Sequence, residues 1–186
     1  MDMNNPVSEK VVKPISATRE LTLMGLLVAV VFVMTYYIQI KLPVAVNGGL
    51  IHMGNVALFT VAILLGKKRG AVAGAFGMGL FDILSGWAAW APYTFVIRGV
   101  MGFVIGGVSD LKGQNGKNMA MNLLAILIGS VWMIAGYYGA EGIMFGNWTA
   151  PATSIPGNLI QLVIGAAVAI PLSRMLLRIQ VIFGRN

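Results

Sequence analysis
Residues 21–38 and 119–138 contain no Asp, Glu, Lys or Arg, and residues 156–177 contain a single one, Arg174. Runs of this length match the roughly 20 apolar residues a helix needs to cross a hydrocarbon layer ~30 Å thick. Only 10% of the 186 residues are charged and 58% are apolar, whereas soluble chains carry about 25% charged residues. The apolar residues come in blocks, not as stripes of helical period, so lipid is the expected solvent. Glycine (24 residues) and methionine (12) suit close helix packing and adaptable contacts.

The predicted fold is an all-α integral membrane protein of six transmembrane helices, with a structured outer loop between helices 1 and 2. Residues 1–18 are polar, contain Pro6 and Pro14, and read as a cytoplasmic tail without a signal-peptide pattern. Residues 19–186 read as one membrane domain, with a helix start at Thr18-Arg19-Glu20. The expected spans are residues 21–38, 53–65, 70–85, 94–108, 119–138 and 156–177. The second is short for a full crossing, which is tolerated where neighbouring protein covers the backbone. Residues 39–51 contain Pro43 and Asn47-Gly48-Gly49, too broken for a helix, with some strand character. Glu141 falls in an expected loop at 139–154, and Pro171 is a possible kink in the last span.

The net charge of +7 could suggest nucleic acid, but the basic residues sit in short clusters between apolar runs. Eleven of the 13 (Lys10, Lys13, Arg19, Lys67, Lys68, Arg69, Lys112, Lys117, Arg174, Arg178 and Arg185) fall on one side of the expected topology. Only Lys41 and Arg98 fall towards the other. The positive-inside rule then puts both termini in the cytoplasm.

The polar residues of the spans gather on the opposite, outer side. Asp82 and Arg98 stand out, because a charge within an apolar span costs about 2.5 kcal/mol or more unless it is paired or faces a wet cavity. His52, Asn55, Glu141, Asn158 and Gln161 lie at the same level, beside Trp87, Trp90 and Tyr93. Polar groups converging among aromatics suit a small-molecule pocket. Other readings stand beside that one. Asp82 and Arg98 could pair to hold two helices in register, the aromatics could anchor the interface, and His52 and Asn158 could be helix caps. Gly25 and Ala29, four apart in the first span, make a small-residue face for packing within the chain or against a partner. Catalysis lacks its parts. There is no cysteine, one histidine, no carboxylate pair at helical spacing, no metal-ligand motif and no phosphate loop.

At these residues the chain resembles the substrate-binding S components of energy-coupling factor (ECF) vitamin transporters, most nearly the hydroxymethylpyrimidine/pyridoxine group. The resemblance is carried by His52-Met53-Gly54-Asn55, Gly66-Lys67-Lys68, Gly70, Phe81-Asp82-Ile83-Leu84-Ser85-Gly86, Ala91-Pro92-Tyr93-Thr94-Phe95 and Ile97-Arg98-Gly99. It implies a six-helix bundle with a vitamin pocket near the outer face, lidded by the loop that holds Pro43, Asn47 and Gly48. It implies no cofactor on this chain, and as partners a transmembrane coupling subunit and two cytoplasmic ATPases that hydrolyse ATP. The family docks through an Ala-x-x-x-Ala pattern on the first helix; here Gly25 and Ala29 keep the small face with glycine at the first position. The vitamin is expected to be captured outside and released inside as the subunit topples, in a bacterial plasma membrane. Pyridoxine or hydroxymethylpyrimidine is the favoured ligand. Riboflavin, pantothenate and a scaffold without a small-molecule substrate are the alternatives.

Overall fold
A computed structural model describes residues 16–41 and 50–178. The lid residues Pro43, Asn47 and Gly48, most of the N-terminal tail and Arg185 lie outside them. Six α-helices, two short strands and two 3₁₀ turns make up the described residues.

Helix α1 (Ala17–Tyr37) starts one residue before the expected Thr18, because the Ser16 hydroxyl accepts the Arg19 N–H at 3.3 Å and caps the first turn. Strands β1 (Gln39–Lys41) and β2 (Leu50–His52) follow as an antiparallel pair with Gln39 opposite His52. This is the strand character expected of the broken loop. Helix α2 (Gly54–Leu65) comes next, and every one of its residues is buried. At 1.5 Å per residue it is only about 18 Å long, too short to cross a bilayer alone. It survives at that length because α1, α3, α4 and α6 pack around it.

Gly66 takes φ +84° and reverses the chain with no linker into helix α3 (Lys67–Leu84). Lys67, Lys68 and Arg69 therefore form the first turn of α3 instead of the loop before it. Cations at a helix N-terminus are unfavourable. Arg69 is compensated by a two-pronged pair with Glu20 of α1, Nε donating to Oε1 at 2.8 Å and Nη2 to Oε2 at 2.6 Å.

Helix α4 (Ala91–Ser109) begins three residues earlier than expected. Pro92 sits in its first turn, where its missing N–H breaks no helical bond. Helix α5 (Met119–Phe145) is capped by Asn118, whose Oδ1 accepts from the Ala120 and Met121 N–H groups. It runs seven residues past the expected end, to Gly146 at φ +61°. Glu141 is therefore on a helix, not in a loop: the isolated Gly139 and Gly142 weaken a helix without ending one that is packed. A 3₁₀ turn at Ala150–Ser154 leads into helix α6 (Ile155–Arg178), which continues past Pro171.

Helices α1, α4 and α5 and the segment Ala150–Arg178 are long and apolar enough to cross a membrane. Leu26 and Val30 of α1, Leu127 and Val131 of α5 and Val163 of α6 are exposed, an apolar surface suited to lipid. The chain is an all-α membrane protein. Gly25 and Ala29 are both exposed on α1, and a Cβ added at Gly25 meets nothing within 4 Å. Packing among the described residues does not explain that small-residue face.

The broadest helix contact is α3 against α4. A Cβ at Gly74 would lie 2.7 Å from the Arg98 carbonyl oxygen and 2.8 Å from Leu58 Cδ1, so the two backbones meet with nothing between them. Gly74→Val should destabilise the detergent-solubilised protein by about 1–3 kcal/mol through overpacking. Gly25→Ala should leave thermal unfolding unchanged or slightly raised, since it adds helix propensity without a clash. Thermal unfolding followed by circular dichroism checks both, and equal effects of the two substitutions would contradict the packing described.

Candidate substrate-binding site
The helix ends opposite the Lys67–Arg69 turn surround a cavity of about 90 Å³. Each helix presents one face to it at helical spacing. Trp90, Thr94 and Arg98 come from α4, Tyr137 and Glu141 from α5, and Asn158 and Gln161 from α6, with Ser154 just before it. Met78, Phe81 and Asp82 of α3 add the next wall, Leu50 and His52 of β2 the top, and Trp87 stands between α3 and α4.

Arg98 is 2% exposed, and its hydrogen-bond partners among the described residues are uncharged. Nη1 donates to Asn55 Oδ1 at 2.7 Å, Nε donates to Tyr137 Oη at 3.2 Å, and the guanidinium carbon lies 5.1 Å from the Tyr137 ring centroid. Tyr137 Oη is also 3.0 Å from Thr94 Oγ1, which links α4 to α5 across the site. An arginine offers only donors, so Asn55 must turn its oxygen towards it. The Asn55 amide nitrogen is then buried with no partner among the described residues.

Asp82 and Arg98 do not form the direct ion pair that the sequence allowed. The ion pair among the described residues is Arg69–Glu20, and Arg98 acts on Asp82 through space while the Thr94 hydroxyl faces the carboxylate. The reason is geometric: Asn55 and Tyr137 hold the guanidinium. Glu141 is 2% exposed and accepts from Ser154 Oγ at 2.7 Å. Gln161 donates to Asn158 Oδ1 at 3.0 Å, which leaves its own Oε1 buried with no partner. His52, on β2 outside the helices, has its pKa pushed down to about 3, first by burial and then by the Arg98 charge. Its imidazole is neutral, and Nδ1 lacks a partner.

Of the residues singled out from sequence, His52, Asp82, Trp87, Trp90, Arg98, Glu141, Asn158 and Gln161 meet at this cavity. Asn55 stands behind Arg98 and bonds to it. Tyr93 does not line the cavity; one residue before Thr94, it turns away by about 100° and packs half-buried against the apolar core. Thr94 and Tyr137 escaped the sequence reading, although each had a signal. Thr94 lies midway between Trp90 and Arg98 on one helix face, and Tyr137 lies one turn before Glu141. Leu50, Met78, Phe81, Ser154 and Gly157 carry no chemical signature that separates them from ordinary packing residues.

A sequence model of the family described as ECF-type riboflavin transporter, S component, matches residues 16–178. A protein of Pyrococcus woesei described as an uncharacterized protein in a gap 3′ region is 30% identical over 129 residues, 69% of this chain and 83% of that protein. The thiamine precursor transporter HmpT of Lactococcus lactis is 26% identical over 166 residues, 89% of this chain and 92% of that protein. With a family match over nearly the whole described length, and a cavity built from charged and aromatic side chains inside an apolar bundle, the chain belongs to the S components of ECF-type transporters, membrane subunits that bind a vitamin or its precursor.

Proposed function
We propose that this chain captures a single-ring vitamin precursor, hydroxymethylpyrimidine in preference to pyridoxine, and hands it to an ATP-driven importer. The observation that carries the reading is the cavity, with Trp87 and Trp90 on one side and His52, Asp82, Arg98, Glu141 and Gln161 around it. A flat heteroaromatic ring stacks on indole, and its polar substituents find directional partners. About 90 Å³ holds six to nine water-sized groups, at about 10–15 Å³ each, which suits one substituted ring. The description of the Lactococcus relative as a thiamine precursor transporter supports a ligand of that class.

In this reading all six helices are embedded with both termini cytoplasmic, α2 riding inside the bundle, and the cavity opens outward. The chain binds no cofactor; a transmembrane coupling subunit meets the Gly25–Ala29 face of α1, and two cytoplasmic ATPases hydrolyse ATP. The setting is a bacterial plasma membrane, and release inward follows from rotation of the subunit against its partner.

Native mass spectrometry of the purified protein against a panel of B vitamins and precursors tests the substrate. One molecule of hydroxymethylpyrimidine per chain is expected; binding of riboflavin alone, or of nothing in the panel, would overturn the proposal. Tyr137→Phe removes the hydroxyl that joins Arg98 to Thr94 and should weaken binding by about 1 kcal/mol, roughly fivefold, with folding kept. Titration calorimetry reads the change. Gly25→Leu should reduce co-purification with the coupling subunit while ligand affinity stays the same, and unchanged co-purification would rule out that face as the docking surface.

A further inference from the structure
Asp82 is a buried carboxylate, 9% exposed, on the wall of the cavity and without an ion pair among the described residues. The cation closest to hand, Arg98, is spent on neutral partners: Nη1 on Asn55 and Nε on Tyr137. Glu141, the other carboxylate at the cavity, is engaged by Ser154 at 2.7 Å. A carboxylate taken out of water without a counter-charge is costly, and it persists in a fold when something bound there supplies the missing donors. On the same cavity, Gln161 Oε1 is a buried acceptor without a partner among the described residues. On the protein side Asp82 has the Thr94 hydroxyl as a donor but no counter-charge bonded to it, and Gln161 Oε1 has no partner among the described residues, so a ligand that brings donors completes both.

We propose that Asp82 is the anchor of the ligand and receives the amidine edge of an aminopyrimidine, the ring nitrogen and the exocyclic amine beside it. This rests on the hydroxymethylpyrimidine reading given above, with the ligand taken as the amino-substituted ring. The amine N–H donates to one carboxylate oxygen, and a single proton lies between the ring nitrogen and the other oxygen. Two parallel charge-assisted bonds of this kind fix both the plane and the direction of the ring. Arg98 remains beside the pair, held by Asn55 and Tyr137. An oxo analogue, with a carbonyl in place of the exocyclic amine, sets an acceptor against the carboxylate and is rejected.

The test compares the affinities of the aminopyrimidine and its oxo analogue by titration calorimetry. The wild-type protein should prefer the amino compound by at least tenfold, a factor typical of one lost charge-assisted bond. In Asp82→Asn the side-chain amide can present its oxygen and nitrogen either way round, so it matches both ligands. The preference should therefore collapse by tenfold or more, while the variant still binds. Glu141→Gln, which also alters the cavity wall, should weaken both compounds alike and so keep the wild-type preference. Equal binding of the two compounds by the wild-type protein overturns the proposal without any variant. So does an unchanged preference in Asp82→Asn, or a collapse seen in Glu141→Gln alone. If the wild-type protein binds neither compound, the aminopyrimidine reading itself fails. Binding of the amino compound with an Asp82-independent preference removes only the anchor.

Discussion
Helices α3 and α4 touch backbone to backbone. At Gly74 a single added carbon would press on the Arg98 carbonyl and on Leu58 of the central helix, and at Gly102 it would press on the backbone of Gly70. In lipid there is no water to expel between helices, so close van der Waals contact and polar bonds between helices hold a bundle together. Glycine supplies the first, and it does so where the two helices carry the charges of the site. Because α3 and α4 are locked in this register, Asp82 and Arg98 reach the same cavity without meeting one another.

The same locking explains how α2 can be so short. A helix of twelve buried residues does not face lipid at all, so the length rule for spanning segments does not apply to it. It acts as a central post. Its first residues carry Asn55 to Arg98, and the small Gly165 of α6 lets that helix close over Asn55 and Phe59. Removing bulk from the neighbours therefore serves both the core and the site, since the post holds the residue that restrains the arginine.

The electrostatics of the cavity follow from who is paired with whom. Arg98 is held by neutral partners, Glu141 accepts from a hydroxyl and His52 is neutral, so Arg98 and Asp82 bring charge to the site without an ion pair between them among the described residues. Such an arrangement is expensive for a structural element and reasonable for a binding site, where the ligand completes the network. The aromatic wall contributes area and orientation, with Trp90 6.4 Å from the Tyr137 ring and 6.1 Å from Phe145.

Much of this was legible in the chain itself. Apolar runs without charge dictated membrane helices, and unlike charges inside them marked Asp82 and Arg98. Helical spacing placed Trp90 and Arg98 on one face, and short motifs from His52 to Gly99 carried the family resemblance. Those signals are local, set by hydrophobicity and period, so a linear reading captures them. Other features needed three dimensions. That Asn55 and Tyr137, rather than Asp82, hold Arg98 depends on helices 43 and 39 residues apart in sequence. That Glu141 is helical depends on packing that overrides two glycines. That Tyr93 faces the core while Thr94 faces the cavity depends on the rotation of α4, which contact with α3 sets. Residue type and spacing determine which groups are available; only the register of packed helices decides which of them meet.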